Sequence, residues 1–244
     1  MVYTGYEHYM RQQADETEWM PYGESNNWEQ SMAVYSGEGI MADEEEHLVP
    51  SLNTQLSLID YELGMKHLLQ HTWTVWHWEN DRSKAWSDML SDVTSFNTVE
   101  DFFSVYYFIK PPSDLKIFND YMVFKQGIRP MWEDEYNKEG GRWIMLLDKA
   151  SKAFSDKLWH DLLLCIIGEC FDYSDQICGV VINVRNKANK LSLWTRNSRN
   201  AQAIMTIGNQ LKQFLHLGEM EIQYQGHKDA MVQHGPNVSA LYRI

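Results

Sequence analysis

Between Trp73 and Glu79 the chain alternates as a β-strand does, sending Trp76 and Trp78 to one face and Trp73 and Val75 to the other, and a folded domain is expected to begin here. What precedes it is of another kind. Residues 1–66 hold thirteen acids against Arg11 and Lys66, a net of −11 out of −13 for the chain, which leaves −2 for residues 67–244. With the run Asp43-Glu44-Glu45-Glu46 and little periodicity, this quarter predicts a disordered, solvated acidic arm ahead of a domain spanning 67–244. The chain is 44% hydrophobic, enough to bury a substantial core. A pI of about 5.1 argues against broad electrostatic attraction to RNA or DNA, so any nucleic-acid contact must be local.

Cys165, Cys170 and Cys178 match no common zinc spacing and are expected as reduced thiols, with Cys165 packed in the core. No basic-then-apolar leader opens the chain, and no run of about eighteen apolar residues occurs. The expectation is a soluble, unsecreted protein of the cytosol or nucleus.

Thr98 is placed to cap a helix from Val99 to about Ile109, with Glu100 and Asp101 in its first turn and Pro111-Pro112 ending it. Strands are expected over Tyr121–Lys125 and Arg142–Leu147. A helix follows from about Ser155 to Ile167 with Gly168 as its C′ residue. A hairpin is expected from Gly179–Arg185 and Lys190–Thr195 around Asn186-Lys187-Ala188-Asn189, which would set Arg185 opposite Lys190, with Asn183, Ser192 and Trp194 on the same face. A helix over Ala201–Leu215 and a strand over Glu221–Gln225 complete an α+β domain, its helices covering one face of an antiparallel sheet.

Met131-Trp132-Glu133-Asp134 sets an indole beside a carboxylate, and Trp86 lies in an equally polar stretch. Two indoles can sandwich a flat cationic ring, and a carboxylate can accept two parallel N–H bonds from its edge. A guanine alkylated at N7 fits: its ring is cationic, and N1–H and N2–H form a matched donor pair. Arg185 and Lys190 with Asn183 would hold phosphates. Taken singly, each residue has an ordinary explanation, a packed tryptophan, a solvated loop acid or a hydrated hairpin end; together they would form a mononucleotide site. Motifs for catalysis are missing: no phosphate-binding Gly-rich loop with Lys-Ser/Thr, no His-Glu-x-x-His, no Gly-x-Ser-x-Gly and no carboxylate-rich helix for magnesium. His160 beside Asp161, and His227, read as structural or interface residues. No enzyme activity, cofactor or metal is expected.

Residues 67–244 closely resemble eukaryotic translation initiation factor 4E, the mRNA cap-binding family, especially its insect members. The resemblance is carried by Trp73-Thr-Val-Trp76, Asn80-Asp-Arg-Ser-Lys-Ala-Trp86, Thr98-Val-Glu-Asp-Phe102, Pro130-Met-Trp-Glu-Asp134, Gly140-Gly-Arg-Trp143 and Leu163-Leu-Cys-Ile-Ile-Gly-Glu169. It implies a curved antiparallel sheet with the cap on the concave side and three helices on the convex side. By position, Trp86 and Trp132 are the stacking pair and Glu133 the edge acceptor. Arg185 and Lys190 are the phosphate ligands, Arg142 and Asn183 the outer phosphate contacts, and Trp194 the contact to the N7-methyl group. Trp76 keeps the residue type of the translation-competent class.

The resemblance also implies a partner helix on the convex face, bearing Tyr-x-x-x-x-Leu-hydrophobic and carried by the 4G scaffold and the 4E-binding proteins. The receptor positions are His67, Leu68, Val99, Phe103, His160, Asp161 and Leu163, with Trp159 as buried support. Three depart from the family pattern: Leu68 replaces a proline, Phe103 a tryptophan and His160 a leucine. Pro236 stands where the family carries a regulatory serine, and Ser239 is out of register to replace it. The expectation is therefore a monomeric binder of 7-methylguanosine-capped mRNA that recruits the 4G scaffold for translation initiation, with weakened partner binding and no membrane association. The alternatives are a repressive isoform that sequesters capped messages and, less favoured, a cap or nucleotide hydrolase. The expected location is the cytoplasm, with the nucleus and cytoplasmic mRNP granules as further sites.

Overall fold

The computed structural model describes Gly64 and residues 66–81, 83–84, 86–148, 152–232 and 239–244. The expected acidic arm lies outside the described residues apart from Gly64 and Lys66. The described part is an α+β fold built on one curved antiparallel sheet of eight strands. In chain order the elements are β1 (Leu68–Trp78), α1 (Trp86–Met89), β2 (Leu90–Thr98), α2 (Val99–Phe108), β3 (Asp120–Lys125), β4 (Gly141–Asp148), α3 (Lys152–Ile167), β5 (Ile177–Asn183), β6 (Ala188–Thr195), α4 (Ala201–Phe214), β7 (Gln223–Gly226), α5 (His227–Val232) and β8 (Tyr242–Arg243). The strands run in the order β2-β1-β3-β5-β6-β4-β7-β8.

The alternation of β1 divides the molecule into two layers. Trp73 and Val75 enter a large core that they share with Phe102 of α2, Leu158, Trp159 and Leu162 of α3, and Ile204, Ile207 and Leu211 of α4. Trp78, with Trp76 packed beside it, enters a smaller apolar cluster on the other face, with Met122, Phe124, Trp132, Val181 and Trp194. Strand β5 shows the same division: Val180 and Ile182 face the helices and Cys178 and Val181 face away, so every residue of the strand is buried. At Gly179 a side chain is excluded, because a Cβ would lie 2.4 Å from Phe124 Cγ and 2.5 Å from the Val123 carbonyl oxygen.

Helix α2 starts where Thr98 and Asp101 cap each other: the Asp101 N–H donates to Thr98 Oγ1 (3.1 Å) and the Thr98 hydroxyl donates to Asp101 Oδ2 (2.7 Å). Helix α3 ends differently from expectation. Gly168 is not the left-handed residue; Glu169 is, at φ 52°, and the Cys170 N–H closes the turn on the Cys165 carbonyl at 3.0 Å. A non-glycine residue accepts that strain because the closing bonds, with the His71 ring at 3.7 Å and the Lys125 ammonium at 4.0 Å, hold its side chain.

The hairpin register also differs. Asn183, not Arg185, pairs with Lys190, because β6 begins at Ala188 and the Asn189 side chain accepts the Arg185 N–H at 3.3 Å to close the loop. No like-charge pair across strands is formed. Four elements show no clear signal in the sequence. Strand β2 lies at the sheet edge, exposed over most of its length and broken by irregular pairing to β1, so it lacks alternation. Elements α1, α5 and β8 are too short for a period to register.

Thr98→Ala removes the α2 cap. Chemical denaturation is expected to show a loss of about 1 kcal/mol, and thermal melting a drop of roughly 2–4 °C.

Candidate functional site

The face of the sheet turned away from the three long helices gathers most of the residues singled out above. Strands β3, β5 and β6 supply one end. Asp120, fully buried, accepts two bonds from Arg185, Nη1 to Oδ1 at 2.5 Å and Nη2 to Oδ2 at 3.0 Å, and a third from Asn183 Nδ2 at 2.7 Å. Lys190 lies across the ladder from Asn183. Sequence reading missed Asp120, because an acid at a strand's first position is an ordinary sight and only strand pairing brings it to Arg185. Its role is to fix the guanidinium: a bidentate carboxylate sets both orientation and position. The cluster keeps a net positive charge, two cations against one acid, which suits an anion.

The other end is aromatic. Lys190, Ser192 and Trp194 project to this face from β6, and at about 3.3 Å per residue the indole lies roughly 13 Å from the lysine. Arg142 pairs with Trp194 across β4 and β6, and its guanidinium carbon sits 5.6 Å from the Trp132 ring centroid. His227, the first residue of α5, is fully buried, 4.2 Å from the Trp194 ring and 6.3 Å from that of Trp132.

Trp132 departs from the sequence reading. Its stretch of sequence is polar and carries no apolar periodicity, yet its exposure is 0%. The reason is tertiary. Asp134 accepts the N–H groups of Arg129 (3.0 Å) and Tyr136 (2.9 Å), and Asn137 donates to the carbonyls of Arg129 (2.8 Å) and Met131 (2.9 Å), which folds the loop tightly. The indole then packs in the apolar cluster shared with Met131, Trp194 and Ala230 of α5. The neighbouring Glu133 is half-buried, and its Oε2 is buried with no hydrogen bond from the protein. A carboxylate oxygen in that state favours an external donor, since an unmet buried acceptor costs about 1–3 kcal/mol. Trp86 heads α1, and its side chain lies outside what the structure describes.

The face covered by α2 and α3 holds the second set. His67 is exposed; its N–H and Nδ1 meet the Glu100 carboxylate at 2.9 and 2.7 Å, and Lys66 meets Asp101 at 2.8 Å, tying the chain ahead of β1 to α2. Leu68 is 68% exposed and Val99 half-buried. Phe103 is half-buried and stacks on the exposed Tyr107 at 6.0 Å, while His160 lies 4.8 Å from the Tyr106 ring. Asp161 pairs with Lys157 and lies 3.6 Å from His160. Trp159 is buried, as expected. Leu163, expected among the contacts, is 2% exposed and packs into the core. Pro236 lies outside the described residues. Among the described residues no group of side chains could hold a metal, and no helix is long and apolar enough to cross a membrane.

Burial pulls His227 well below the usual histidine value of 6.5, aided by Arg142, and burial also lowers His77. Between the two values the unfolded chain binds the extra proton, so stability is full above pH 6.5 and falls as pH drops below it. The slope is at most about 1.4 kcal/mol per pH unit for each histidine. Denaturation at pH 7.5 and 5.5 is expected to show this loss in the natural chain and a smaller one in His227→Phe, with His77 supplying the remainder.

Known proteins share this sequence and fold. The sequence model described as Eukaryotic initiation factor 4E matches residues 68–240. Eukaryotic translation initiation factor 4E1 of Drosophila melanogaster is 56% identical over 180 residues, covering 73% of this chain and 70% of its own. The Homo sapiens factor 4E is 45% identical over 174 residues, covering 70% and 80%. Among solved structures, Ascaris suum eIF4E-3 in complex with an m7G cap is 43% identical with a TM-score of 0.69, covering 74% of this chain and 98% of that one. Caenorhabditis elegans eIF4E-3, in complex with the 4E-binding protein Mextli and a cap analog, is 41% identical with a TM-score of 0.68, covering 73% and 99%. A match over most of the folded part in sequence and in three dimensions places this chain in the eukaryotic initiation factor 4E family.

Proposed function

We propose that this chain binds the 7-methylguanosine cap of mRNA on the concave face and a 4G scaffold or 4E-binding protein on the convex face, acting in translation initiation in the cytoplasm. The observation that carries the reading is that Trp132 and Trp194 share an apolar cluster on the sheet face that also bears Arg185, Lys190 and Asn183, while Glu133, next to Trp132 in the chain, keeps a buried carboxylate oxygen with no hydrogen bond from the protein. Glu133 accepts N1–H and N2–H of guanine, Trp86 and Trp132 stack on its faces, Trp194 meets the methyl group, and Arg185 and Lys190 neutralise phosphates, with Arg142 and Asn183 outside them. For Trp132 to stack on a base it must leave its buried place beside His227, so binding changes tryptophan emission. Stacking, edge hydrogen bonding and charge neutralisation are the work these groups are suited to, which is recognition rather than turnover. Relatives crystallised with cap analogs and 4E-binding proteins support the same pair of partners. They do not favour a sequestering isoform.

Following tryptophan fluorescence, 7-methyl-GTP is expected to bind well and unmethylated GTP far more weakly; equal affinities would overturn the reading. Glu133→Gln is expected to lose about 1–3 kcal/mol, the value of a bidentate edge contact, and incubation of capped dinucleotide with magnesium is expected to give no product.

On the convex face, Phe103 and His160 fill positions where the resemblance implies tryptophan and leucine. Central tryptophans carry about 2 kcal/mol or more in such interfaces, and phenylalanine keeps most of the area without the N–H. Phe103→Trp with His160→Leu is expected to tighten binding of a Tyr-x-x-x-x-Leu-hydrophobic peptide by several-fold, read by calorimetry.

A further inference from the structure

The turn that ends α3 brings two cysteines together. Residues five apart on a helix point in different directions, but here the Cys170 N–H returns to the Cys165 carbonyl at 3.0 Å with Glu169 left-handed between them. That closure folds residue 170 back over residue 165, the approach a disulfide needs, whose Cα atoms lie about 4.4–6.8 Å apart. Cys170 Sγ lies 3.9 Å from the Gly168 carbonyl oxygen, on the same turn. Cys170 is exposed, Cys165 half-buried and Cys178 buried elsewhere, among the apolar residues of the opposite face.

We propose that Cys165 and Cys170 form a reversible intramolecular disulfide, a modification site whose closure reshapes the groove beside the end of α3. A small-molecule disulfide such as glutathione disulfide serves as oxidant. The exposed Cys170 thiolate attacks one sulfur, a mixed disulfide forms and the first glutathione leaves as thiolate. Cys165, giving up its proton, then displaces the second glutathione from Cys170. Two protein thiols are oxidised to one S–S bond and the oxidant is reduced to two glutathiones. The order follows from access: burial raises Cys165 to about 11 and Cys178 to about 12, so neither starts the exchange.

The bridge would act on a groove of about 650 Å³, walled by Leu68, Leu69 and His71 of β1 and by Ile167, Gly168 and Glu169 of the turn. Glu169 reaches His71 and Lys125 across it. Closing the bridge removes the thiol donor from the Gly168 carbonyl and locks the wall that Leu68 faces. That this alters partner binding rests on the reading of this face given above; formation of the bridge does not.

The full chain, reduced and then incubated with glutathione disulfide, is expected to fall from three free thiols to one and to lose two hydrogens in intact mass. Cleavage after Glu169 should leave fragments that stay joined until reduced. Cys170→Ser, at an exposed position, should abolish the joining. Oxidation should weaken the peptide named above by about fivefold or more, reversibly, and leave the Cys170→Ser affinity unchanged. Three persisting thiols, glutathione retained on Cys170, or joining that survives Cys170→Ser would overturn the bridge. A bridge that leaves peptide affinity unchanged would overturn its coupling to the groove. Failure of the reduced protein to bind peptide would count against the docking face alone.

Discussion

Side chains on a strand must alternate, and in this molecule both faces of the sheet are put to use. The residues of β1, β3, β5 and β6 that face α2, α3 and α4 form the main core, and the residues between them line the opposite face. The two roles share one backbone. A site built this way inherits the rigidity of the core, because no strand residue on the concave face can slip without moving its neighbours out of the convex one. That coupling explains why β5 tolerates no exposed residue and why Gly179 has no room for a side chain.

The two ends of the site are prepared differently. The cationic end is already built, with Arg185 and Asn183 held by the buried Asp120 and Lys190 facing Asn183 across the ladder. A buried carboxylate is costly to desolvate, and here three hydrogen bonds and a guanidinium offset that cost. The aromatic end is closed, with Trp132 packed against its neighbours and the neutral His227 set beside Trp194. On the proposed reading, ligand binding requires exposure of an indole at one end and almost no rearrangement at the other.

The convex face is aromatic where α2 and α3 meet. Phe103 and Tyr107 stack, Tyr106 packs against both Tyr107 and His160, and Tyr107 and Phe108 stand largely in solvent. The substitutions at Phe103 and His160 are therefore part of one packed surface, and the effect of restoring either depends on the other.

Much of this was legible in the chain itself. Period-two alternation places Trp73 against Trp76 and Trp78, Thr98 with Asp101 marks the start of α2, and the Trp132-Glu133 pair, Arg185, Lys190 and Asn183 are recognisable by residue type. Local signals suffice there because each depends on neighbours within a few residues. The remainder depends on contacts between distant segments. Asp120 lies 65 residues from the arginine it holds, and Trp132 is buried by a loop folded on Asp134 and by α5, nearly a hundred positions on. The register of the β5–β6 hairpin was set by the Asn189 side chain rather than by loop length. Sequence alone determined which chemical groups the protein has and which face of each strand carries them; only the tertiary structure decided which are buried, paired or poised, because burial and pairing are properties of the packed whole.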